Sequence, residues 1–73
     1  MNCTVKLHWD GEAGVWVATS DDIPGLALES GSCDVLIERL KYVVPEIASL
    51  NNIKAPYYDL SYVFERRDRV RAV

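Results

Sequence analysis

No apolar run in the 73 residues approaches the roughly 20 that a membrane-spanning helix needs. The opening MNCTVKLHWD alternates polar and apolar residues and has no continuous apolar stretch, so a secretory leader is not expected and the cytoplasm is the expected location. Cysteine is scarce. Cys3 and Cys33 form neither a CxxC pair nor a Cys/His ligand pattern, which argues against structural zinc and against a disulfide framework. Two free, buried thiols in a reducing compartment are the expectation. Histidine occurs once, as His8 beside Trp9, and no spacing pairs it with a serine, cysteine or acid in a catalytic arrangement. Internal repeats, linkers and low-complexity segments are also missing, so the chain is one domain with no cofactor or metal expected.

What is present is a chain that is 49% hydrophobic and 26% charged, ordinary for a globular domain. At this size only about 60% of the unfolded surface is buried on folding, so self-association would help it. The net charge of −3 is unevenly placed. Residues 1–65 set four basic side chains against ten acidic ones, a net of −6, while residues 66–73 set four arginines against Asp68, a net of +3. The division is therefore a folded domain over 1–65 and a basic tail over 66–73. An acidic body is a poor nucleic-acid binder and suits a basic protein partner.

The stretch WDGEAGVWVATSDDIPGL, Trp9 to Leu26, organises the rest. Cys3, Val5, Leu7 and Trp9 alternate with polar residues as strand one. Asp10-Gly11 opens a turn that Gly14 closes, and both glycines are suited to positive φ. Val15 to Thr19 has the β-branched and aromatic composition of strand two. A five-residue loop, Asp10 to Gly14, pairs Trp9 with Val15 and Leu7 with Val17. That register puts Val15 and Val17 on the face of Cys3, Val5 and Leu7, and Trp16 beside His8 on the other; a four-residue loop reverses every assignment. Pro24-Gly25 turns the chain into a short strand three, Leu26 to Glu29.

From Cys33 the period changes. Leu36, Leu40, Val43, Ile47 and Leu50, widened by Ile37 and Val44, make one apolar stripe of a helix of about 18 residues. Ser32 is its N-cap, with Asp34 near the positive end, and Asn51-Asn52 is a left-handed stop on which Ile53 folds back. Pro45 removes the bond to the Lys41 carbonyl, so a kink or break is expected there. Strand four, Tyr57 to Glu65, puts Tyr58, Leu60, Tyr62 and Phe64 on one side. The fold class is α+β, in the order β-β-β-α-β. Strand four parallel to strand one gives a mostly antiparallel sheet of order 3-2-1-4 with the helix on one face.

With the residues Trp9-Asp10, Glu12-Ala13, Val15 to Ala18, Ser20 and Pro24-Gly25-Leu26, this order resembles the HicB-like antitoxin superfamily. The similarity is to a branch of short, uncharacterised domains and continues into Leu36 to Leu40 and Val44-Pro45-Glu46, about residues 3–60. The resemblance implies a partial RNase-H-like fold and a non-enzymatic, protein-binding role, masking a small basic RNA-cleaving toxin of the HicA kind. Better-known members add a C-terminal operator-binding segment. The sequence stops about eight residues after strand four, so direct DNA binding is not expected.

The partner-binding residues expected on this reading are Asp10, Glu12, Asp21 and Asp22, with Trp16 as an apolar anchor. The alternative is a metal-dependent nuclease or hydrolase of RNase-H-like type using the same carboxylates. Against it, the two acidic turns lie at opposite ends of strand two, roughly 17–20 Å apart, too far for one metal. Large rings on a sheet with one covering helix mark an interface. A homodimer is expected through the edge of strand four, with Tyr57, Tyr58, Leu60, Tyr62, Phe64, Arg66 and Arg67 at the contact.

Overall fold

The strand order in the sheet is β3-β2-β1-β4, with β1 over Asn2–Asp10, β2 over Val15–Thr19, β3 over Ala27–Ser30 and β4 over Asp59–Glu65. The computed structural model describes all of residues 1–73. β1 pairs antiparallel with β2 and parallel with β4, and β2 pairs antiparallel with β3, so the sheet is open and mixed. A single helix, α1 over Cys33–Leu50, makes this the expected α+β fold. No helix is long and apolar enough to cross a membrane.

The register of the first hairpin differs from the sequence expectation. Trp9 lies opposite Trp16, His8 opposite Val17 and Leu7 opposite Ala18, so the loop has four residues, not five. The Asp10 side chain accounts for the difference. Its Oδ1 accepts from the amides of Glu12 at 3.1 Å and Ala13 at 3.2 Å, while its carbonyl accepts from Gly14 at 2.8 Å. Asp10 thus remains in β1 and the reversal is made by the next four residues, with φ of 67° at Gly14 and no positive φ at Gly11. One residue of slip turns strand two over. Trp16 and Ala18 face the side of Cys3, Val5 and Leu7, and Val15 and Val17 face away from it.

The helix packs on the first of those sides. Cys3, Val5, Leu7 and Ala18 from the sheet, Ile23 and Leu26 from the Pro24-Gly25 corner, and Leu36, Leu40, Val44 and Ala48 from α1 form one buried core. The alanine at 18 has no bulk to hold the helix off the sheet. At the helix start Ser32 Oγ accepts from the Val35 amide at 3.3 Å, and the Arg39 guanidinium donates to the Glu29 carbonyl of β3 at 3.2 Å. At its end the Asn52 amide donates to Ser49 O at 3.1 Å and Ile53 to Ala48 O at 2.9 Å, with Asn52 at φ 56°. This is the Schellman arrangement with asparagine in the left-handed position. Asn51 Nδ2 then ties the helix end to the Pro24 carbonyl at 2.8 Å. Along the helix there is no break at Pro45, which α1 spans, and Leu50 is 83% exposed, contrary to expectation, while Ala48 takes the buried place.

Candidate interaction surfaces

Alternation along the strands sorts the chemistry onto two faces. Beneath the helix, β4 presents Leu60, Tyr62 and Phe64 beside Cys3, Val5 and Leu7 of β1. The opposite face, which no element covers, carries Thr4, Lys6 and His8 from β1, Val15, Val17 and Thr19 from β2, and Ser61, Val63 and Glu65 from β4. It holds no exposed aromatic ring. The rings instead collect on the helix side, where α1 leaves the end and the β4 margin of the sheet open.

At one end Trp9 and Trp16 lie with ring centroids 5.6 Å apart, and Phe64 meets Trp16 edge-on at 6.4 Å. The Arg66 guanidinium sits 4.9 Å above the Trp9 ring and pairs with Asp68 at 3.1 Å. Along the margin a groove of about 640 Å³ runs between α1 and β4, lined by Leu40, Lys41, Val44 and Pro45 on one side and Tyr58, Leu60 and Tyr62 on the other, with Ala55, Pro56, Tyr57 and Asp59 at its end. Burial pushes the Tyr62 phenol above its ordinary pKa, with Lys41 opposing the shift. Lys41 is itself raised by its hydrogen bond to Glu38, 2.7 Å away. Tyr58 is anchored by its hydroxyl, which donates to the Ile53 carbonyl at 3.1 Å. Beyond the groove β4 has no strand neighbour, so its outer edge of backbone groups is free.

On the uncovered face a polar hollow of about 380 Å³ is lined by Thr4, Lys6, Thr19, Ser20, Asp21, Asp22 and Val63. Its rim is structural as well as acidic. Where the β1–β2 ladder stops, Asp22 Oδ2 accepts from the Thr4 amide at 2.7 Å and Ser20 Oγ donates to the Thr4 carbonyl at 2.6 Å, so two side chains replace the next ladder pair. Lys6 bridges to Glu65 across the face at 3.4 Å.

The residues singled out from the sequence are therefore divided. Asp21 and Asp22 border the hollow; Asp10 and Glu12 stand at the other end of β2, in the turn that Asp10 closes; Trp16 lies at that same end but on the helix side, the opposite face from Asp10. No group of three or more His, Cys, Asp or Glu side chains comes together in metal-binding geometry. Of the residues expected at the dimer contact, Tyr57, Tyr58, Leu60 and Tyr62 share the groove, whereas Phe64 and Arg66 belong to the tryptophan cluster and Arg67 is exposed in the tail. Sequence reasoning did not place Pro45 or Lys41 at the groove, nor Thr4 and Thr19 at the hollow. The even-numbered polar positions of β1 were the one available signal for the latter.

The profile of a family described as a domain of unknown function (DUF1902) matches residues 2–73. The fold is also that of a crystal structure of a hypothetical protein from the extremely thermophilic bacterium Thermus thermophilus. The two are 36% identical and superpose with a TM-score of 0.75 over 99% of this chain and 100% of the other. No curated protein matches.

Proposed function

The chain belongs to the DUF1902 family over residues 2–73, and on that footing we propose that it is a non-enzymatic, HicB-like protein-binding module that masks a small basic RNA-cleaving toxin. The observation that carries this reading is the uncovered sheet face. Val15 and Val17 of β2 and Val63 of β4 give it apolar side chains flanking Lys6 and His8 of β1, while Asp10 and Glu12 at one end and Asp21 and Asp22 at the other give it acidic margins on a body of net −6. A sheet face with acidic margins is suited to a partner of the opposite sign, and electrostatics of this kind steer encounter more than they add affinity. The carboxylates sit at two ends of one strand, so nothing in the geometry favours the nuclease alternative over this one.

The test is inhibition of a purified toxin of the HicA kind. Stoichiometric chain should suppress its RNA cleavage, and Val17→Arg, which sets a further cation on the uncovered face, should relieve the suppression at unchanged melting temperature. Cleavage that continues unaltered in the presence of excess wild-type chain would remove the proposal.

A further inference from the structure

We infer that the free edge of β4 and the groove beside it receive the C-terminal arm of a second copy of this chain, each arm adding as an antiparallel strand to its partner's sheet. The inference goes beyond the masking role: it uses the edge of β4 and the groove on the helix side, and meets the uncovered face only along Ser61, Val63 and Glu65.

Residues 66–73 leave the body without regular structure, and the molecule is accordingly long, 53 × 18 × 18 Å, with a radius of gyration of 14.0 Å against about 11 Å for a compact chain of this length. The arm is held only at its root, by Arg66 over Trp9 and by the Arg66–Asp68 pair. Its outer part alternates as a strand would: Arg67, Arg69, Arg71 and Val73 on one side, Val70 and Ala72 on the other, with Asp68, which pairs with Arg66 at the root, ahead of them on that side. Val70 is 87% exposed, which is unusual company for a 73-residue chain short of apolar burial.

The arm matches the edge in parity and charge. A two-fold axis through Arg66 sets residues 67–73 opposite residues 59–65 of the partner, and these are the seven residues of β4. In that register even faces even. Val70 falls opposite Tyr62 and Ala72 opposite Leu60, both of which line the groove, so the outer apolar residues of the arm close over apolar side chains, while Asp68, opposite Phe64, lies outside the groove next to its Arg66 partner. The arginines turn to the polar face, where Arg67 falls opposite Glu65. A slip of one residue would place the arginines against Tyr62 and Leu60, so the pattern selects the register. The arm carries +3 and the body −6, so attraction acts between copies as it does along the edge. Main-chain hydrogen bonds to an open edge supply the rest, in the manner of strand addition.

Sedimentation equilibrium of the full chain at micromolar concentration should give twice the 8.2 kDa chain mass. The double variant Val70→Asp with Ala72→Asp should sediment as the single chain, its dissociation constant raised at least roughly a hundredfold because two charges would enter an apolar groove. Both positions are exposed, so the variant's circular dichroism should be that of the wild type. Amide exchange along β4 should slow in the wild type and not in the variant. A wild type that sediments as one chain overturns the inference, as does a dimer that survives the double substitution or an arm protected from exchange in a monomer. Because Val70 and Ala72 are remote from the uncovered face, the monomeric variant should still suppress a toxin that wild type suppresses, which separates failure of this inference from failure of the masking role.

Discussion

Asp22→Ala distinguishes a carboxylate that recognises a partner from one that builds the sheet. In the structure its Oδ2 accepts from the Thr4 amide at 2.7 Å, and its own amide donates to Ser20 Oγ at 3.2 Å, beside the Ser20–Thr4 bond of 2.6 Å. A hydrogen bond to an ionised group contributes about 1.5–3 kcal/mol when desolvated. Here water reaches the pair and can replace the lost acceptor, which brings the expected loss down to about 1–2 kcal/mol. For a domain of this size that lowers the melting temperature by about 5–15 °C. Urea titration is the assay: the midpoint should fall while the slope stays as in the wild type, since the surface exposed on unfolding is unchanged. Asp22→Asn, which keeps a carbonyl oxygen in place, should lose less than half as much. An Asp22→Ala midpoint equal to that of the wild type would refute the argument and leave recognition as the residue's role.

Asn52 occupies φ 56°, so Asn52→Gly should melt within a degree or two of the wild type, while Asn52→Ala should lose about 1 kcal/mol in thermal unfolding. Pro45 lies inside an unbroken helix and costs up to about 3 kcal/mol there relative to alanine, so Pro45→Ala should raise the melting temperature; a fall would mean that the proline fixes a bend the packing needs. Burial, followed by the charge of Asp22, holds the Cys3 thiol above its ordinary value of 9.0. Above about pH 9 the unfolded chain releases this proton while the folded chain keeps it, so the thiol's contribution is intact below that pH and stability falls as pH rises. Cys33 and Tyr62 shift in the same direction, so the check is a comparison of slopes: Cys3→Ala should lose less stability between pH 8 and 10 than the wild type.

The strands, the helix with both its caps and the sheet order were legible because each rests on a local rule: alternation, a change of period, a serine before the helix and an asparagine after it. The hairpin register was not legible. Val15 and Val17 on one parity and Trp16 and Ala18 on the other are both apolar, so composition could not choose between the two faces. The choice was made by Asp10 bonding to the amides of Glu12 and Ala13, and by the fit of a small Ala18 under α1. The same ambiguity hid the candidate surfaces. With strand two turned over, Trp16 moved to the helix side and joined Trp9 and Phe64, and the uncovered face became one of valines, threonines and charges. Pro45 was visible in the sequence as a helix disturbance but not as a groove wall, since that depends on how far α1 lies from β4.

β1 is the first strand of the chain, yet it lies inside the sheet, with β4 as its second neighbour and Asn2 opposite Asp59. Its two edges are therefore filled at very different moments of synthesis. The partner on one side follows after a four-residue turn, whereas the partner on the other requires about fifty more residues, several seconds of elongation at roughly 5–20 residues per second. Throughout that interval the nascent domain presents the row of β1 backbone groups that β4 will later cover, beside Cys3, Val5 and Leu7. Any early meeting with a second nascent chain would take place at β1, the strand that the finished molecule hides.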